Sequence, residues 1–344
     1  MVRVFVVDDS AFVRRALTRT LDGHAGLRVI GEAASGAEAL DRIPQLNPDL
    51  VTLDVAMPGL DGLQVLRSLL RWKPELKVLM LSAHTRIGAE ATVEALAIGA
   101  VDFIDKSAFN VMDLEVLRRE VGDKIAACAR APGVRASVPS PSPGGPDPAE
   151  AAHCELCVIG ASTGGPAALQ RILERLPASF PLPIVVVQHM PPGFTRPFAE
   201  RLDALCRLQV AEAVEGERLA PGRVRVAQAG RHLRITGNLA LILAGEPSDA
   251  KHIPSIDVTM KSAARARPGR VLGVLLTGMG EDGADGMVAV RAAGGLTLAE
   301  SEASRVVYGM PRAAWSRGGA SYLLPLDEIA GFLARVTRRA RAAG

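Results

Sequence analysis

Ser162 sits in Gly160-Ala161-Ser162-Thr163-Gly164, which satisfies G-x-S-x-G inside the run CVIGASTGGPAALQRIL. That run reads as a strand, a sharp turn and a helix start. Small flanking residues let such a turn expose the hydroxyl, and the helix N-terminus aims backbone N–H groups at a developing oxyanion. A serine or threonine before a helix is also an ordinary N-cap, and a glycine turn also binds phosphate, so the turn needs partners before it means a nucleophile. The strand LPIVVVQHM delivers His189 to the same rim as a general base. The strand VLGVLLT runs into Gly278-Met279-Gly280-Glu281-Asp282-Gly283 and brings Asp282 there to orient the imidazole, with Glu281 as the neighbour able to substitute. Together these residues suit acyl transfer. His24, His84, His153, His232 and His252 lie in loop-like or polar contexts and read as surface or satisfied histidines.

Gly278, Gly280 and Gly283 also match G-x-G-x-x-G after a strand, with Glu300 as the acidic residue further on, so a dinucleotide-dependent oxidoreductase is the rival from another class. Against it, Glu281 and Asp282 put two negative charges where a pyrophosphate would approach. Cys154-x-x-Cys157 leads into a strand instead of opening a helix, and no second ligand pair at zinc spacing accompanies it.

A second constellation lies nearer the N-terminus. Asp8 and Asp9 end one apolar run, Asp54 and Ser82 end two others, and Lys106 follows a fourth. In open α/β sheets ligands bind at the carboxyl ends of strands. Three carboxylates converging there repel one another unless a hard divalent cation such as Mg²⁺ sits among them. The ammonium and hydroxyl complete a cradle for a phosphoryl group on a carboxylate.

The elements that position these groups follow from hydrophobic patterning. Short β-branched runs (VRVFVVD, LRVIGEA, LVTLD, KVLMLS, VDFID) alternate with helical patterns over the first 130 residues, predicting a doubly wound five-stranded parallel sheet. Residues 131–150 hold six prolines and three glycines, the composition of an extended linker. Residues 151–344 again alternate buried-type runs with helices, predicting a mostly parallel, Rossmann-like α/β domain. Shorter strands over 209–243, with a tight turn at Gly237-Asn238, predict an antiparallel addition.

The 344 residues are 48% hydrophobic and 22% charged, which excludes wholesale disorder. A net charge of +3 and 3% aromatic residues argue against nucleic acid as a partner. The first 130 residues carry 16 basic and 18 acidic side chains, and the remainder 24 and 19, so the second part suits an acidic protein surface. The N-terminal apolar run is too short and ends too acidic for a signal peptide, and no run reaches the ~18 residues of a membrane helix. A cytoplasmic protein without direct membrane insertion is the expectation.

VVDDS, LDVAMPGLDGL, MLSAHT and DFIDKS resemble the response-regulator receiver domain over residues 1 to about 125. The resemblance implies that Asp54 accepts the phosphoryl group, that Asp8, Asp9 and Asp54 hold Mg²⁺, that Ser82 and Lys106 sense the phosphate, and that Phe103 is the switch aromatic. Ser107 departs from the proline that usually follows the lysine. IGASTGGP, QHMPPGFTRPFAERL and LLTGMGEDGADGM, with PSIDV and ASRVVYGMP, resemble the catalytic domain of the chemotaxis protein-glutamate methylesterase (CheB) family over residues 155 to about 335. That resemblance implies Ser162 as nucleophile, His189 as base, Asp282 as its partner, an oxyanion contact from the Met279 backbone and a lining role for Thr163. Ile253 stands where the family often has an arginine.

The implied substrates are glutamate methyl esters on the cytoplasmic domains of methyl-accepting chemoreceptors, with a related glutamine deamidation and no cofactor for the ester chemistry. The implied phospho-donor is a CheA-type histidine kinase, whose action relieves a block of the active site. A receiver-linked binding regulator without catalysis is the remaining alternative; the presence of all three triad residues disfavours it.

Overall fold

A computed structural model of the chain describes residues 1–83, 85–107, 109, 114–131 and 145–336. The chain divides into two compact units, Met1–Arg135 and Ala136–Gly344.

In the first unit, β1 (Val2–Val7), β2 (Leu27–Ala33), β3 (Leu50–Asp54), β4 (Lys77–Ser82) and β5 (Asp102–Asp105) form one sheet in the order β2-β1-β3-β4-β5, every pairing parallel. Every residue of β3 and β4 is buried, as unbroken apolar runs require when helices cover both sheet faces. The helices α1 (Ala11–Asp22), α2 (Gly36–Leu46), α3 (Gly62–Trp72) and α4 (Arg86–Ile98) each start where a side-chain oxygen takes an orphan N–H. Ser10, Ser35, Asp61 and Thr85 supply those oxygens, and Asp61 forms a capping box with Gln64. The last helical stretch closes through a π-helical turn, Arg118–Gly122, into α5 (Asp123–Ala129). The strand order reverses between β1 and β3, so a crevice opens at their carboxyl ends, where Asp8, Asp9 and Asp54 stand.

The second unit is built on a seven-stranded sheet. Its strands are β6 (Leu156–Ala161), β7 (Ile184–Gln188), β8 (Gln209–Glu212), β9 (Arg223–Val226), β12 (Val271–Leu275), β13 (Leu296–Glu300) and β14 (Tyr322–Leu324). They run in the order β14-β13-β12-β6-β7-β9-β8, all parallel. The helices α6 (Gly165–Leu173), α7 (Thr195–Leu205), α8 (Ile256–Ala266), α9 (Ala284–Ala292), α10 (Met310–Ser316) and α11 (Leu326–Arg335) connect or follow these strands.

The antiparallel addition is a separate hairpin, β10 (His232–Ile235) with β11 (Leu241–Ala244). Its turn contains Gly237 and Asn238, but the left-handed position is Leu239, with φ of 62°. Two of the short strands expected near it, β8 and β9, instead extend the main sheet in parallel. β10 packs on α8, Leu233 and Ile235 joining Ile256, Met260 and Ala263 in the core. The switch point of this sheet lies between β6 and β12.

Of the proline-rich segment 131–150, residues 132–144 lie outside the described residues. Its end is folded: Pro148–Ala151 make a 3-10 turn whose N-terminus is closed by a capping box between Asp147 and Glu150. The Tyr322 hydroxyl donates to the Glu150 carboxylate at 3.0 Å, so these residues pack with the second unit. Proline at the first position of a helical turn serves it well, which a reading of proline as linker composition misses.

Candidate active site

Ser162, His189 and the 277–282 loop leave the carboxyl ends of three neighbouring strands. Ala161 is in register with Gln188 and Gly160 with Leu275. Ser162 is therefore flanked by His189 on one side and Thr277 on the other, at a strand spacing of about 4.8 Å. The Ser162 N–H donates to the Thr277 carbonyl at 3.0 Å, and the His189 N–H to the Ala161 carbonyl at 3.1 Å.

The turn that carries Ser162 is locked from below. The buried Gln188 side chain donates to the carbonyls of Ser162 and His189 at 2.9 and 3.1 Å. Gly164 has φ of +76°, and a Cβ there would lie 2.5 Å from Val306. The turn feeds α6, whose N-terminus carries Pro166. Ser162 is half-buried and Thr163 buried. Among the described residues no acceptor meets the backbone N–H of Thr163 or of Met279. Two unengaged N–H groups beside a helix N-terminus are what an oxyanion needs.

His189 Nε2 lies 2.7 Å from Asp282 Oδ2. His189 Nδ1 is buried with no hydrogen-bond partner among the described residues, so the bond to the Ser162 hydroxyl is not made in this structure. With Nε2 donating to the Asp282 carboxylate, Nδ1 keeps its lone pair, the form in which an imidazole can accept a proton. Asp282 is gripped by the first turn of α8: Ser255 Oγ donates to Oδ1 at 2.8 Å, Ile256 N–H to Oδ2 at 2.8 Å and Asp257 N–H to Oδ1 at 3.1 Å. Burial works to raise the Asp282 pKa, yet the bond to His189 and the Ile256 and Asp257 N–H groups outweigh it and hold the pKa at about 2. Glu281 points elsewhere and pairs with Arg317. The choice between Glu281 and Asp282 thus falls on Asp282.

Two glycines of the G-x-G-x-x-G run serve close packing, whereas Gly280, with φ of +80°, has open space around it. A Cβ at Gly278 would meet Met310 Sδ at 2.2 Å and Ser162 Cβ at 2.8 Å, and Gly283, with φ of +93°, packs on Leu275 and Ile256. Glu300 is buried, accepting from the Thr277 N–H and the Ser304 hydroxyl, both at 2.8 Å. It faces inward and not toward a ribose. Burial pushes its pKa up to about 7 against those two bonds. Cys154 and Cys157 are buried free thiols.

In the first unit, Asp8, Asp9 and Asp54 offer carboxylate oxygens that all lie within 4.8 Å of one another. An all-oxygen, anionic donor set fits Mg²⁺. Lys106 Nζ bridges Asp8 Oδ2 at 2.8 Å and Asp54 Oδ2 at 2.7 Å. Burial, opposed by Lys106, raises the Asp54 pKa to about 6. The Ser82 hydroxyl faces α4, donating to the Gly88 carbonyl at 3.2 Å and accepting from Thr92 Oγ1 at 2.7 Å. Phe103 is buried, with the Lys124 ammonium 5.6 Å from its ring centre. Ser107, free of the proline ring, donates its N–H to Asp105 Oδ1 at 2.9 Å, a bond that proline cannot make.

The family model for the CheB methylesterase matches residues 157–333, and that for the response regulator receiver domain matches residues 4–116. The chain belongs to the CheB methylesterase family. Similar proteins named protein-glutamate methylesterase/protein-glutamine glutaminase include one from Symbiobacterium thermophilum, 43% identical over 97% of this chain and 96% of its own length. Another, from Lawsonia intracellularis, is 44% identical over 96% of this chain and 98% of its own length. The crystal structure of the Thermotoga maritima CheB methylesterase catalytic domain aligns with a TM-score of 0.52 and 41% identity, covering 54% of this chain and 99% of that one.

Three residues near this CheB-family site were not singled out from the sequence. Ser255 and Gln188 act on backbone and carboxylate groups from segments distant in the chain. His252, read as a surface or satisfied histidine, stacks on His189 with ring centres 4.1 Å apart and an interplanar angle of 18°. Burial, with the His189 ring beside it, lowers the His252 pKa to about 4. Ser255 has one sequence signal, its place in PSIDV as the serine before a helix start, and neither Gln188 nor His252 has one. Ile253, at the position of the family's frequent arginine, is half-buried, and its carbonyl accepts the Gly230 N–H at 3.0 Å.

Proposed function

We propose that this chain hydrolyses glutamate γ-methyl esters on the cytoplasmic domains of methyl-accepting chemoreceptors, deamidates glutamine side chains by the same route, and is governed by phosphorylation of Asp54. The observation that carries the reading is the 2.7 Å bond between His189 and Asp282, with Nδ1 of the same ring left without a hydrogen-bond partner among the described residues. Ser162 Oγ attacks the ester carbonyl as His189 Nδ1 takes its proton. The oxyanion rests against the N–H groups of Thr163 and Met279. Collapse breaks the C–O bond, and His189 returns the proton so that methanol leaves. Water, activated by the same nitrogen, cleaves the acyl-enzyme and frees glutamate and Ser162. With glutamine the leaving group is ammonia.

In the first unit, Asp54 takes the phosphoryl group from a CheA-type histidine kinase. Asp8, Asp9 and Asp54 hold Mg²⁺, which when bound offsets the charge of the phosphoryl group. Lys106 leaves its bridge to Asp54 for the phosphate, and Ser82 turns from Gly88 toward it. The triad makes a binding-only regulator the weaker reading.

The test is incubation of the protein with a receptor-derived helical peptide carrying one glutamate methyl ester, read by mass spectrometry. Conversion to the acid by the wild-type chain and none by Ser162→Ala is expected. Equal conversion by both would remove Ser162 from the chemistry.

A further inference from the structure

We propose that His232 is a positioning residue for the triad, acting on Asp282 through the N-terminus of α8; the inference rests on the esterase reading of Ser162, His189 and Asp282. His232 opens β10 and is fully buried. Both ring nitrogens are engaged. Nδ1 accepts the Ser255 backbone N–H at 3.1 Å, and Nε2 lies 2.9 Å from the Pro247 carbonyl. An amide N–H can only donate and a carbonyl only accept, so the two bonds fix one tautomer, with the proton on Nε2.

Ser255 is the N-cap of α8, and its N–H lies outside the helix's own hydrogen bonding. His232 satisfies that N–H and thereby sets the cap's position. From the cap, the Ser255 hydroxyl and the next two N–H groups reach the Asp282 carboxylate. Apart from His189, every described donor to Asp282 therefore comes from the turn that His232 holds. The rest of the β10–α8 contact lies further along: Thr259 Oγ1 donates to the Leu233 carbonyl at 2.8 Å and Ile235 N–H to Ser262 Oγ at 3.0 Å. Those bonds hold the helix body; the Thr259 hydroxyl also reaches the Ser255 carbonyl at 3.2 Å, while the Ser255 N–H is met by His232 alone among the described residues. An apolar ring of similar size at 232 would fill the space but leave the buried Ser255 N–H without a partner and take the donor away from the part-buried Pro247 carbonyl. The turn would then shift to find water, and Asp282 with it.

The experiment uses the full chain and compares His232→Phe with His232→Gln, whose amide offers an acceptor and a donor to the same two partners. Methanol release from methyl-labelled receptor membranes is read as kcat and KM. His232→Phe is expected to lose about 10- to 100-fold in kcat with KM within about twofold, and His232→Gln to stay within about threefold of wild type. In an Asp282→Asn background His232→Phe is expected to cost nothing further, because its path ends at that carboxylate. Unchanged kcat in His232→Phe, or an equal loss with Asp282 already replaced, overturns the proposal. If His232→Phe does not fold, His232→Asn, which reaches only one of the two partners, takes its place with the same expectation. A second readout is independent of substrate: the downfield proton resonance of the His189–Asp282 bond, expected in wild type and His232→Gln and lost in His232→Phe. Should the wild-type chain release no methanol, the esterase reading fails, and this resonance still judges the brace: its persistence in His232→Phe overturns it.

Discussion

A carboxylate becomes useful to a histidine base when it is held still and kept charged, and Asp282 is both. Its pKa of about 2 lies below the usual 3.8, so it contributes stability present above about pH 4 and lost as pH falls through 2. Asp282→Asn is expected to flatten the acid limb of the second unit's stability by on the order of 2 kcal/mol, measured by denaturant unfolding between pH 5 and 2. The same change should lower kcat on the order of 10⁴-fold, since an amide favours the wrong tautomer of the ring. Asp54 has the opposite sign: its pKa is raised to about 6, so its ionisation costs stability in full above pH 6, and the cost fades toward pH 4. Asp54→Asn should therefore stabilise the first unit at pH 7 without Mg²⁺ by on the order of 1–3 kcal/mol, with less gain at pH 4.5. Equal gains at both pH values would mean that the carboxyl is not held in a desolvating site. These residues were legible because chemically distinctive side chains stood at the ends of apolar runs. Ser255 and Gln188 were not, because what they hold is backbone or a carboxylate reached only after folding; Asp282 and Ser255 are 27 positions apart.

At the scale of elements, the site depends on how closely three strand ends approach. Gly278 lies against the Ser162 side chain, so its missing Cβ is a condition of that side chain's position. Gly278→Ala should push Ser162 or Met310 aside, costing about 1–3 kcal/mol of stability and a larger share of activity. Ester hydrolysis at the wild-type rate in a folded Gly278→Ala chain would show that the turn has slack. The sheet was legible where runs such as IVVVQ and VLGVL are buried throughout, because two-sided burial leaves no alternation to misread. It was less legible at β8 and β9. Their four-residue lengths and part-polar patterns match antiparallel edge strands equally well, and only the pairing of β9 with β7 decides the direction. The folded turn at Pro148–Ala151 was hidden for a similar reason, since proline marks linkers and helix starts alike.

At the scale of the whole molecule, two α/β units each place their chemistry at the carboxyl ends of strands beside a switch point. One is suited to take a phosphoryl group, the other to cleave an ester. Joining them in one chain makes sense if the first governs the second, a shift of populations driven by the charge added at Asp54. Asp54→Ala is then expected to keep a basal esterase rate that no phospho-donor raises. The most direct measurement is methanol release from methyl-labelled receptor membranes by wild type, Ser162→Ala and Asp54→Ala, each with and without acetyl phosphate and Mg²⁺. The account predicts release by wild type that rises with the phospho-donor, none from Ser162→Ala under either condition, and an unresponsive basal rate from Asp54→Ala. Release by Ser162→Ala, or stimulation that survives in Asp54→Ala, would contradict it.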